Sequence, residues 1–94
     1  MVYIDRVHYE TDSYGYEYIT KVTWTNTFGA WAENTCTKQA MINFINQNPN
    51  CTKTKYYKNG TWYTGEDVRV VDNRYLRTDS NNIKADNLGN LPRF

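Results

Sequence analysis

Thr37-Lys38-Gln39-Ala40-Met41-Ile42-Asn43-Phe44-Ile45-Asn46-Gln47-Asn48-Pro49 is followed, after a short polar step, by Lys53-Thr54-Lys55-Tyr56-Tyr57-Lys58-Asn59-Gly60-Thr61-Trp62-Tyr63. The change of period between these two runs decides the fold. In the first, the apolar spacing is helical: Ala40, Met41, Phe44 and Ile45 fall within one apolar stripe. Thr35 or Thr37 can supply the N-cap oxygen. Asn48-Pro49 stops the helix, because the residue before a proline is pushed out of the helical region. The spacing predicts a helix over about 37–47. In the second run, Asn59-Gly60 lies between β-prone residues. That is a hairpin signal, since a type I′ turn needs two residues that tolerate positive φ.

Working outward, Val2 to Tyr9 reads as a first strand, with an irregularity because Ile4 and Val7 do not alternate. Thr11 to Glu17 is a polar loop. Tyr18 to Thr25 is a second strand, pairing with the first as a hairpin. Strict alternation puts Tyr18, Thr20, Val22 and Trp24 on one face and Ile19, Lys21 and Thr23 on the other. Asn26 to Gly29 suggests a turn, and Ala30-Trp31-Ala32 a short strand. Gly65 marks a bulge or bend before Asp67 to Val71 continues the sheet. Asp72-Asn73 is a tight turn, and Arg74 to Thr78 the last strand. In the ending, Leu88 and Leu91 are spaced for one helical turn that presses both onto the sheet before Pro92. The expected fold is α+β: a small antiparallel sheet of five to six strands, one helix packed on one face, and a docked C-terminal tail.

The chain has 94 residues, which predicts one domain, 1–94. Its aromatic content is high at 16%, enough to build a thin core and line a wet surface. A net charge of +1 argues against binding duplex nucleic acid by charge. No apolar run reaches membrane-spanning length, and no secretory signal opens the chain, so a cytoplasmic protein is expected. Cys36 and Cys51 flank the helix, whose ends lie roughly 16 Å apart at 1.5 Å per residue. Two reduced thiols are expected, since a disulfide needs far closer Cα atoms.

The ordered set Ile4 and Val7; Ile19, Val22 and Trp24; Met41, Phe44 and Ile45; Val68 and Val70; then Tyr75-Leu76-Arg77-Thr78, Asp86-Asn87-Leu88 and Leu91-Pro92 resembles the domain of unknown function 3892 family. These are small single-domain proteins of bacteria and their phages. The ending is the specific part of the resemblance. The tyrosine-rich stretch Thr11 to Glu17 departs from the family pattern. The resemblance implies an accessory or host-interaction role and assigns no activity.

Candidate chemistry is sparse. His8 is the only histidine, and it reads as a strand residue rather than an acid-base group. Glu66, Asp67 and His8 are the candidates for acid-base work in a small enzyme, and nothing in their spacing brings them together. No catalytic set, metal site or cofactor is expected. Asp79, Asn81 and Asp86 could in principle hold calcium, but such residues usually cap turns. Arg69, Arg74 and Arg77 with Tyr75 or Trp62 could take a nucleotide-like anion by stacking and charge-assisted hydrogen bonds. The alternative is that Arg77 pairs with Asp86 or Asp79 and holds the tail. Tyr14, Tyr16 and Tyr18 share one face if their segment is extended, which with Trp31 suits protein recognition. The leading expectation is a non-catalytic binding protein, an inhibitor or adaptor of bacterial or phage origin acting on a protein partner. Its open sheet edges and exposed aromatics suggest a homodimer. The runner-up is a phage-type sponge for a nucleotide-like small molecule.

Overall fold

The computed structural model describes residues 1–78 and 85–94. Its elements are β1 (Val2–Thr11), β2 (Glu17–Thr25), β3 (Asn34–Thr37), α1 (Lys38–Gln47), β4 (Thr52–Lys58), β5 (Thr61–Asp67), β6 (Arg69–Val71) and β7 (Tyr75–Arg77). Thr37 caps α1 as its position suggests, its hydroxyl accepting from the Ala40 N–H at 3.1 Å. Asn48 closes the other end, donating backbone and side-chain N–H groups to the Phe44 carbonyl. The helix buries Met41, Ile42 and Ile45. Ala40, expected in the apolar stripe, is exposed instead, and Ile42 takes its place.

The strands do not form one antiparallel sheet. Five of them make a mixed sheet in the order β3-β2-β1-β4-β5, and β6 and β7 make a separate two-stranded sheet. β1 and β4 run parallel, Val2 to Ile4 facing Thr52 to Thr54. The cause is topological. A helix joining two strands carries the chain across the sheet, and such crossovers return it in a parallel sense. Here α1 leads from the β3 edge past β2 and β1. No strand forms at Ala30-Trp31-Ala32; the edge strand is the polar Asn34–Thr37.

Two irregularities set the faces. A register shift between Ile4 and Arg6 leaves Asp5 as an extra residue of β1. A second shift pairs Tyr9 with Ile19 after His8 with Lys21, so Thr20 is extra in β2. That shift overturns the strict alternation expected for β2: Ile19 and Val22 both enter the core, with Trp24 packed against it. The expected bulge at Gly65 is present, between the Lys53–Asp67 and Lys55–Thr64 pairs. A Cβ built on Gly65 would meet the Thr54 hydroxyl oxygen at 2.2 Å, so only glycine fits. The hairpin turns follow the sequence, with positive φ at Asn59, Gly60, Asp72 and Asn73.

The core lies between α1, the β6–β7 hairpin and one face of the larger sheet, where Ile4, Val7, Ile19, Val22, Ile42, Leu76 and Leu88 are buried together. Leu88 and Leu91 form no helical turn; residues 85–94 are irregular. The Asn87 N–H donates to the Leu76 carbonyl at 2.8 Å, and the Val7 N–H donates to the Pro92 carbonyl at 3.0 Å. Main-chain bonding to β7 and β1 competes with a helix for the same groups. Among the described residues, no helix is long and apolar enough to cross a membrane.

Candidate functional site

Asp5 and Thr23 follow the core residues Ile4 and Val22, so their side chains turn to the opposite face of the sheet. There the Thr23 hydroxyl donates to one Asp5 oxygen at 2.6 Å, and the Ala32 N–H donates to the other at 2.7 Å. Lys55 reaches the same place from β4. Its ammonium lies 3.9 Å from Asp5. It donates to the carbonyls of Thr27 at 2.8 Å and Phe28 at 3.0 Å, and to that of Ala30. A buried ammonium needs such partners, because an unpaired charge in the interior is costly. Burial pushes the Lys55 ammonium below its ordinary range, and Asp5 partly offsets that shift. The result is an anchor that fixes the Asn26 to Glu33 segment against the sheet.

What the anchor holds up is aromatic. The Lys55 ammonium sits 4.1 Å from the centre of the Trp62 ring. Trp31 meets Trp62 edge-on at 4.8 Å, Tyr57 lies 5.2 Å from Trp62, and the Arg6 guanidinium is 5.4 Å from Trp31. Trp31 and Tyr57 are nonetheless 42% and 48% exposed. Rigid rings of this kind, backed by a fixed scaffold but open to solvent, are the usual anchors of protein recognition. On the other face of the same hairpin, Tyr56 and Tyr63 stack at 5.3 Å.

The tyrosine row expected at the β1–β2 loop does not form. Asp12 bends the segment, its carboxylate accepting from the Tyr14 and Tyr16 N–H groups at 2.8 and 3.0 Å. Gly15 has φ +87°, so the segment is a turn and not an extended strand. Tyr14 and Tyr16 sit at its tip, 84% and 72% exposed, while Tyr18 lies on β2 near the Lys38 ammonium.

Of the anion-binding candidates, Arg69, Arg77 and Tyr75 share the β6–β7 hairpin and Arg74 adjoins Tyr75, while Trp62 lies apart on β5. Arg69 faces Arg77 across β6–β7. Arg77 is buried and donates to the Ala85 carbonyl at 2.9 Å. Asp86 does not take Arg77 as partner. It lies 2.9 Å from the Lys38 ammonium, and it accepts from the Ile19 and Leu76 N–H groups, each at 2.9 Å. Arg74 lies over Tyr75, centre to ring 5.8 Å, and Trp62 belongs to the aromatic cluster. Asp79 and Asn81, and any bond from Asp79 to Arg77, lie outside the described residues.

His8 contacts the Phe94 carbonyl through Nδ1 and packs on the Phe94 ring. Asp67 pairs with Lys53 at 3.2 Å. Glu66 and Asp67 lie on β5, away from His8 on β1 in the sheet order. Both cysteines are free, and burial pushes the Cys36 thiol up. Asp5, Arg6, Lys55 and Tyr57 were not singled out from sequence; the strand irregularity between Ile4 and Val7 was the one signal that pointed near them. A family described as a protein of unknown function (DUF3892) matches residues 3–92 of the chain. No curated protein and no solved structure matches it.

Proposed function

The chain belongs to the DUF3892 family, and we propose that it is a small non-catalytic binding protein that acts on a protein partner. The observation that supports this reading is the pair of exposed rings, Trp31 and Tyr57, packed on a half-buried Trp62 over a buried Lys55. Its rings lose little freedom on binding because the scaffold already holds them. Tyr14 and Tyr16 extend the recognition surface at the β1–β2 turn. The protein works as an inhibitor or adaptor in the cytoplasm of a bacterium or a phage-infected host. The returning tail serves as a clasp, and the open β5 edge supports pairing as a homodimer.

The test is comparative. Wild type and a Trp31→Ala/Tyr57→Ala variant are used as bait in bacterial extract, and each retained protein is purified and titrated against both. Affinity lost by at least tenfold in the variant, with its melting transition kept cooperative, is the expected result. Equal affinity for both would sink the reading. Sedimentation of the purified chain over a concentration series tests the dimer.

A second reading, capture of a nucleotide-like anion, keeps support at one place. Lys38 and Arg74 both lie over Tyr75, at 5.6 and 5.8 Å, beside a groove of about 430 Å³ that Tyr18 also lines. Melting shifts against a nucleotide panel, lost in Arg74→Ala, would favour it.

A further inference from the structure

We propose that the cleft between the β4–β5 hairpin and the tail binds a short free peptide in extended form, with its amino terminus at Glu66 and its carboxylate at Lys58. The proposal rests on the chain being a binding protein, but not on the Trp31 surface. The cleft has a volume of about 570 Å³, within the range of small-ligand sites. One wall is the row Thr54, Tyr56 and Lys58, alternate residues on one face of β4. The facing wall carries Leu88, Leu91 and Pro92. Tyr56 is braced from behind by its stack on Tyr63. Gly65, closely packed on Thr54, lines the floor between the two walls without a side chain of its own.

The charges define the ligand. The Glu66 N–H donates to the Thr54 hydroxyl, so Glu66 lies beside Thr54, four residues along β4 from Lys58. Four residues of strand span about 13 Å. Both Glu66 and Lys58 are exposed and line the cleft, and neither has an ion-pair partner among the described residues. An occupant that satisfies both must carry a cation and an anion about 13 Å apart, joined by a slender apolar body. An extended peptide of about four residues with free termini has that length and those charges. Apolar residues at its second and third positions would meet Tyr56 on one side and the leucine wall on the other.

The probe is a pool of tetrapeptides with apolar central residues, prepared with free termini, N-acetylated, and C-amidated. Amide spectra of the labelled protein should show saturable shifts at Tyr56, Gly65, Leu88 and Leu91 with the free peptides. N-acetylation should weaken binding by about fivefold in wild type, an exposed charge pair's contribution, and leave Glu66→Gln unaffected. C-amidation should do the same in wild type and leave Lys58→Met unaffected. Both positions are exposed, so both variants keep the fold. No saturable shift at millimolar peptide overturns the proposal, and so does equal binding of free and blocked peptides. Shifts confined to Trp31 and Trp62 also overturn it, while leaving the aromatic recognition surface standing.

Discussion

The Lys55 ammonium lies 3.9 Å from the Asp5 carboxylate, and both side chains are wholly buried. Each has other bonds, so the two form one network between β1, β4 and the Asn26 to Glu33 segment. Removing one charge strands the other and frees three carbonyls. Lys55→Met should therefore cost about 3–5 kcal/mol. Asp5→Asn with Lys55→Met should cost less than the sum of the two single changes, because neither charge is then left alone. Urea unfolding of the four proteins measures the coupling. Strict additivity would mean that the pair does not act as a unit.

The same pair gives a pH signature. Burial holds Lys55 below its ordinary value near 10.5. Between that lowered value and 10.5, the unfolded chain binds more protons here than the folded chain does, so stability at this position rises with pH. Below the window, the full cost of burying the ammonium is present. Lys55→Met lacks this titration. The stability difference between the two proteins should thus move in favour of wild type as pH climbs toward 10.5. A difference that stays constant across the alkaline range refutes the assignment.

Local chemistry carried much of the fold into the sequence. Thr37, Asn48, Asn59-Gly60, Asp72-Asn73 and Gly65 each specify a cap, turn or bulge through their own backbone preferences, and each does so here. Neighbours across the sheet were not legible. Periodicity labels a strand without naming its partner, so the parallel β1–β4 pair was missed. Asn34–Thr37 has no apolar alternation to mark it as an edge strand. Lys55 was hidden for a different reason. It sits in Lys53-Thr54-Lys55-Tyr56-Tyr57-Lys58, a β-prone run whose three lysines carry no mark of which is buried, and lysines are rarely buried. Without a buried Lys55 between them, nothing in the sequence joins Trp31 to Trp62.

Gly65 offers a test of the bulge that floors the cleft. An alanine methyl there would collide with the Thr54 hydroxyl, 2.2 Å from the new Cβ. Gly65→Ala should destabilise by about 1–3 kcal/mol, typical of overpacking. Thr54→Ala removes the obstructing oxygen but also the acceptor of the Glu66 N–H. The double variant should recover part of the loss without reaching wild type, as read by thermal melting. Full additivity of the two losses would show that the clash is relieved elsewhere.

Asp86 joins three elements through one carboxylate. It accepts from Ile19 of β2, Leu76 of β7 and Lys38 of α1, all at 2.9 Å, with its side chain 1% exposed. Asp86→Asn preserves the volume but turns an amide N–H₂ toward groups that are all donors. At least one backbone N–H then loses its acceptor in the interior, and the Lys38 ammonium loses its counter-charge. Bonds to charged groups contribute more than neutral ones, so a loss of about 2–4 kcal/mol is expected. The loss should be local in character as well. Hydrogen exchange at Ile19 and Leu76 should speed up more than at Val2 or Ile4, because β1 and β4 do not depend on Asp86. Uniform acceleration across the sheet would instead make Asp86 part of the global folding unit rather than a joint between the two sheets.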